Sequence, residues 1–260
     1  IQTHFLNNID GNNLADILEQ INPLTTLFVV VSKTFTTIET MTNAASIRNW
    51  FTKNGYDEKK VFDRHFIAVS TECSIDKVTE FGIPKEKAFL FWNWVGGRFS
   101  LWSAAGISIP LTIGFANFKQ LLEGAQEADE HFFLKPFHEN IPVLDALLTI
   151  WYTNFWGCSA QVILPYSMRL KKLYPYLQQT MMESNGKSTD RSNNSIAYST
   201  SPIIFGGEGT NAQHSFFQLF HQGTWLIPAQ FILVKNISHN LKKHQIILNA
   251  NCIAQTEALT

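Results

Sequence analysis

The feature that most constrains this chain is the passage from an apolar run into an amphipathic helix across residues 27–51. Residues 27–31 read Leu-Phe-Val-Val-Val. A continuous β-branched run of that length suits a strand buried on both faces of a parallel sheet. It stops at Ser32, Lys33 and Thr34, with Thr36 and Thr37 close behind. From Thr37 the period turns helical, with Met41, Ala44, Ile47 and Phe51 three or four positions apart. A strand thus hands four hydroxyls and one ammonium to a helix start. Helix N-termini carry unpaired N–H groups and the positive end of the dipole. Together these groups make a cradle for a phosphate monoester. The alternative is an ordinary hydroxyl cap, with Lys33 simply reaching solvent.

The same rhythm continues along the chain. Residues 66–70, 88–92, 161–164, 202–205 and 230–234 read as further strands, and helical patterns separate them. Strands alternating with helices predict an α/β fold of parallel sheets sandwiched by helices. The chain has 260 residues, 45% of them apolar, which suffices for one large domain or two smaller ones. The softest boundary lies near residues 110–140, where helices replace the alternation. Residues 104–114, rich in small apolar side chains, read as a buried helix packed against the sheet. Residues 143–155 are almost wholly apolar and read as a helix buried between layers. Residues 170–181 read as a helix with a bend at Pro175. Residues 184–199 form the most polar window, an exposed loop or hairpin.

Charge limits the partners. A net charge of -1 offers no basic field for nucleic acid, so a small anion would need a local positive site. No apolar run is long enough to span a membrane, and residue 1 opens no signal segment. Cys73, Cys158 and Cys252 are odd in number and far apart, which suits a reducing cytoplasm and gives neither a zinc spacing nor a redox pair. Both termini read as cut.

Four places could carry chemistry. Gly96-Gly97-Arg98 follows a strand, so the backbone can approach a ligand closely beside a fixed guanidinium. That cation could neutralise an oxyanion or hold a phosphate, or it could merely pin the turn. Glu183 lies between a helix and the polar loop, where a partly desolvated carboxylate could act as a general base. Most glutamates so placed are only solvated. His214 reads as a helix start, where the dipole favours a neutral imidazole able to shuttle a proton. A capping or core role fits it equally. The glycine cluster at 206–209 lacks the dinucleotide spacing. Phe91, Trp92, Trp94, Phe99 and Trp102 could stack on a sugar, but core packing is the better default.

Several long segments, in order, resemble the glucose-6-phosphate isomerase family. They are Ser32-Lys33-Thr34-Phe35-Thr36-Thr37, Gly96-Gly97-Arg98-Phe99-Ser100-Leu101, Met182-Glu183-Ser184-Asn185-Gly186-Lys187, Gly209-Thr210-Asn211-Ala212-Gln213-His214 and Ala254-Gln255-Thr256-Glu257-Ala258-Leu259. The resemblance implies two sugar-isomerase (SIS) type domains: residues 1–110 as the C-terminal part of an incomplete first domain, and 111–260 as most of the second. It implies interconversion of glucose 6-phosphate and fructose 6-phosphate through a cis-enediol. Ser32, Lys33, Thr34 and Thr37 would hold the phosphate, and Gly97 and Gln179 would line the substrate. Arg98 would stabilise the enediolate, Glu183 would move the proton, and His214 would assist ring opening. No cofactor and no metal are implied. The implied partners are a sugar phosphate and a second copy in a homodimer, or other chains carrying the missing termini. The resemblance covers only the middle of the family's length, and Ala212 replaces a usual glycine. A non-catalytic sugar-phosphate-binding fragment is therefore the alternative.

Overall fold

The computed structural model describes residues 1–236 and 238–259. The chain divides into two compact units, Ile1–Asp129 and Glu130–Thr260.

In the first unit, α1 (Gly11–Gln20) begins where the Asp10 carboxylate accepts the Asn12 N–H at 3.0 Å. β1 (Phe28–Val31) follows, then α2 (Ile38–Lys53), α3 (Glu58–His65) and β2 (Phe66–Ser70). α3 is capped by Asp57, which accepts the Lys60 N–H at 2.9 Å. α4 (Ile75–Phe81) ends at Gly82, and β3 (Ala88–Leu90) comes next. Gly82 has φ 114° and no room for a Cβ, which would lie 2.5 Å from the Phe62 ring. The three strands pair in parallel in the order β1-β2-β3. β2 is buried along its whole length, so its sequence is the continuous apolar run expected of a central parallel strand. Phe51 of α2 is fully buried, edge-on to Phe28 and Tyr56 and stacked on His65. α5 (Ser108–Ile113) and α6 (Phe115–Leu134) close the unit, and the division between units falls inside α6.

The second unit repeats the scheme. α7 (Ile141–Ile150) is capped by Asn140, which accepts the Val143 N–H at 3.3 Å. β4 (Ala160–Tyr166), α8 (Leu173–Leu177), β5 (Ile203–Gly206), α9 (Phe217–Gln222), β6 (Ala229–Leu233) and α10 (Lys242–Ala258) follow. The strands are parallel in the order β5-β4-β6, and central β4 is buried from Val162 onward. Its core joins Val162, Leu164, Tyr166, Ala212, Phe217 and Cys252. The polar window forms a turn with a Thr189–Ser195 bridge.

Four sequence expectations need correction. Residues 104–114 are not one buried helix. A 3₁₀ turn, Ala104–Gly106, packs with Ile107 against Val69, Phe91 and Val95, but the chain is exposed from Leu111 on. Residues 143–155 are not buried: Leu147 is 54% exposed, and Trp151 and Phe155 are exposed too. The 151–155 segment is a π-helical turn and not more α-helix. Of the five aromatics after β3 only Phe91 is buried; Trp92 and Trp94 stack on each other in solvent at 5.5 Å. Residues 170–181 break into a 3₁₀ turn, the short α8 and a π-helical turn, Gln178–Glu183.

Candidate active site

The loop after β1 is built to present hydroxyls. Phe35 takes the left-handed backbone, φ 51°, and is buried edge-on against Phe81. A bulky residue in that region costs about 1 kcal/mol. Burial of the ring offsets the cost and turns Thr34 and Thr36 outward, where their hydroxyls bond each other at 2.7 Å. Thr37 caps α2 by position, yet its side chain bonds no helix N–H. Its Oγ1 meets the buried Ser32 Oγ at 3.1 Å.

Lys33 does not simply extend into solvent. Its ammonium donates to the carbonyls of Asn93 at 2.6 Å and Val95 at 3.1 Å. An ammonium has three donors, so one N–H remains for a ligand. The two bonds join the loop after β1 to the turn after β3, which leads at once into the Gly97–Trp102 3₁₀ turn. Arg98, on that turn, is half-buried. Both segments leave the C-terminal ends of parallel strands, the edge where open α/β sheets bind ligands. A notch of about 300 Å³ lined by Glu72, Leu90, Phe91, Trp92 and Asn93 borders this turn.

The anchors of the loop escaped the sequence reading. The Lys33 carbonyl accepts from Thr71 Oγ1 at 2.9 Å, Ser74 Oγ at 3.1 Å and Ser70 Oγ at 3.4 Å. Ser70 Oγ also donates to the Ser32 carbonyl at 2.7 Å. The only available signal was a cluster of hydroxyls closing an apolar strand.

In the second unit, Gln179 and Glu183 are exposed on the π-helical turn. Such turns recur at functional sites because they re-aim side chains within a helix. This one is pinned to β5. Gln178 Nε2 donates to the Ile204 carbonyl at 2.9 Å, and the Ile204 N–H reaches Met182 Sδ at 3.3 Å. β5 then runs into the loop that carries His214. His214 is exposed and ends a 3₁₀ turn, Asn211–His214; α9 begins only at Phe217. The argument from a helix dipole at His214 is overturned, since no helix starts there. His221 is engaged elsewhere, 2.9 Å from Gln255 Oε1.

The glycines at 206–209 serve close packing. A Cβ at Gly206 would lie 2.3 Å from the Ile163 carbonyl oxygen, and one at Gly209 would lie 2.4 Å from the Tyr166 ring. Among the described residues no group of three His, Cys, Asp or Glu side chains could hold a metal. Nor is any described helix long and apolar enough to cross a membrane. A cavity of about 330 Å³ touches Asp145, Tyr152, Cys158, Gln161 and Pro228. It lies at the N-terminal ends of β4 and β6, opposite the Gly207–Gly209 turn.

The family profile for phosphoglucose isomerase matches residues 1–260. A glucose-6-phosphate isomerase of Christiangramia forsetii is 51% identical over 259 residues, covering 100% of this chain and 47% of that protein. One from Methylococcus capsulatus is 52% identical, with the same coverage of both. The chain spans about half the length of the curated relatives it matches. A crystal structure of a glucose-6-phosphate isomerase from Chlamydia trachomatis superposes with a TM-score of 0.84 at 37% identity, over 98% of this chain and 49% of that one. A hypothetical protein from Thermus thermophilus gives 0.79 at 26% identity, over 98% and 62%.

Proposed function

The chain belongs to the phosphoglucose isomerase family, and from that premise we propose that it carries the central part of an aldose–ketose isomerase acting on glucose 6-phosphate and fructose 6-phosphate. Ser32, Lys33, Thr34 and Thr37 hold the phosphate. Glu183 takes the proton from C2 of the open-chain aldose and returns it to C1. The C2–H electron pair becomes the C1–C2 double bond of a cis-enediol as the C1 carbonyl pair moves onto O1, which takes up a proton; O2 gives up its proton and becomes the ketose carbonyl when C1 is reprotonated. Arg98 lowers the barrier by facing the oxygens on which charge develops. Gly97 and Gln179 line the substrate, and His214 moves the proton that opens the ring. Residues 1–110 belong to the first sugar-isomerase domain and 111–260 to the second. A second copy, or chains with the remaining family segments, completes the enzyme in the cytoplasm.

The observation that carries this reading is the pair of hydrogen bonds that the Lys33 ammonium donates to the Asn93 and Val95 carbonyls. It supports one anionic subsite built from the hydroxyl loop and the arginine turn. The test supplies fructose 6-phosphate to the enzyme completed with the remaining family segments and follows glucose 6-phosphate, with the parent and Glu183→Gln compared. The variant should lose at least about a hundredfold in turnover, the low end for a general base, and keep its affinity for the ester. Unchanged turnover would remove Glu183 from the role. The chain's share of its relatives' length favours a second reading, a sugar-phosphate-binding piece without turnover, in which the ester binds and no product forms.

A further inference from the structure

Gly209 is needed for space, not for backbone freedom. It is absent from the glycines with positive φ. A Cβ built on it would lie 2.4 Å from Tyr166 Cε1 and 2.5 Å from Cδ1 and Cζ. The loop therefore lies flat on the Tyr166 ring. That ring cannot move aside. It is fully buried at the end of the central strand, stacked 6.1 Å from Phe231, and packed with Leu164, Phe217 and Cys252. The Gly209 N–H donates to the Pro165 carbonyl at 3.1 Å, which holds the loop down on the ring. The next bonds, Ala212 N–H to Glu208 and Gln213 N–H to Thr210, wind the 3₁₀ turn that delivers His214. Buried cores shift little and transmit displacement, so a change in floor height reaches His214.

We infer that Tyr166 is a positioning residue for His214: its ring sets the height of the Gly209–His214 loop. The functional part rests on the proposed ring-opening role of His214. The ring carries the effect, since the hydroxyl is buried and finds no hydrogen-bond partner among the described residues.

The test has two arms on the full chain. The first reads the His214 Hε1–Cε1 resonance by NMR, with His131 and His138 as internal references. Tyr166→Phe keeps the ring and should keep the parent resonance. Gly209→Ala adds the clashing methyl and should displace it, as should Tyr166→Leu. Combining Gly209→Ala with Tyr166→Leu gives the methyl room and should bring the signal back toward the parent, a non-additive result. A His214 resonance unmoved by Gly209→Ala overturns the inference, and that variant decides it if Tyr166→Leu does not fold. The second arm compares glucose 6-phosphate with a tetrose 4-phosphate, which has no hydroxyl able to close a ring. Gly209→Ala should lower kcat about tenfold on the hexose, the scale of a sub-ångström misplacement, and leave the tetrose within about twofold. Equal losses on both would show that the loop does not act through ring opening. A parent chain that turns over neither sugar favours the binding reading without turnover, and the first arm then decides the positioning by itself.

Discussion

Replacing Ser70 by alanine should loosen the candidate phosphate loop more than any other loss of a single hydroxyl. Ser70 is fully buried, and its Oγ donates to the Ser32 carbonyl at 2.7 Å and, more weakly, to the Lys33 carbonyl at 3.4 Å. Alanine fits the same space, so no cavity of note opens. What is lost is a donor to a buried carbonyl, which costs about 1–3 kcal/mol. We expect about 2 kcal/mol, because one bond is short and the other long. Thr71→Val should cost about half that, because Ser74 Oγ still serves the Lys33 carbonyl at 3.1 Å. In urea, 2 kcal/mol at a slope of about 2 kcal/mol/M shifts the midpoint by about 1 M. Calorimetric titration with fructose 6-phosphate should show affinity falling about tenfold in Ser70→Ala, equivalent to about 1.4 kcal/mol. A Ser70→Ala chain within about 0.5 kcal/mol of the parent would refute the anchoring argument. So would a Thr71→Val chain that suffers more.

Other outcomes follow from the same geometry. Phe51→Ala empties the centre of the first core and should cost about 3–5 kcal/mol in chemical unfolding. Cys73 is exposed and Cys158 and Cys252 are buried, so a thiol reagent should modify Cys73 first and the others only on unfolding. Burial raises both buried thiols, and it raises Tyr166 to about 12, with Cys252 adding to that. Their stabilisation is whole below the ordinary thiol value of 9.0 and is lost as pH rises through the raised native values, so melting temperature should fall on the alkaline side. Asp190 is lowered, first by the Asn194 N–H, then by the Asn194 side chain and the Ser192 N–H. Its ordering of the 188–196 turn holds above the usual 3.8 and is lost as pH falls through the lowered value, which amide exchange at Asn194 would follow.

The strands were legible because parallel strands buried on both faces leave continuous apolar runs; residues 66–70 match β2 end to end. The loop after β1 was legible as a break, because hydroxyls and a lysine interrupt the apolar run just where the helical period begins. Its anchors were not. Ser70, Thr71 and Ser74 reach back about forty positions, and long-range hydroxyl bonds leave no period to read. Residues 143–155 failed for a different cause. Apolar composition states that a segment favours a dry partner, but not that the described residues supply one. The helix start at His214 was misplaced because the chain closes a 3₁₀ turn, Asn211–His214, before α9 begins at Phe217, and a turn of four residues leaves no apolar period to read.

A chain with a net charge of -1 must concentrate positive potential if it is to hold a phosphate. An unconstrained lysine would do so poorly, since ordering its long side chain costs about 2 kcal/mol of rotamer freedom at the moment of binding. Here the ammonium is already fixed by two carbonyls, and the loop beneath it by three hydroxyls on one carbonyl oxygen. The ordering cost is met on folding, so affinity for an ester need not cover it again. The same bonds make the charge directional, with its remaining N–H the one available donor. Lys33→Arg should therefore weaken ester binding although charge is conserved, because a planar fork cannot satisfy both carbonyls and still present a donor along that line. Equal affinity of Lys33→Arg and the parent for fructose 6-phosphate would mean that charge alone, and not its fixed direction, governs the subsite.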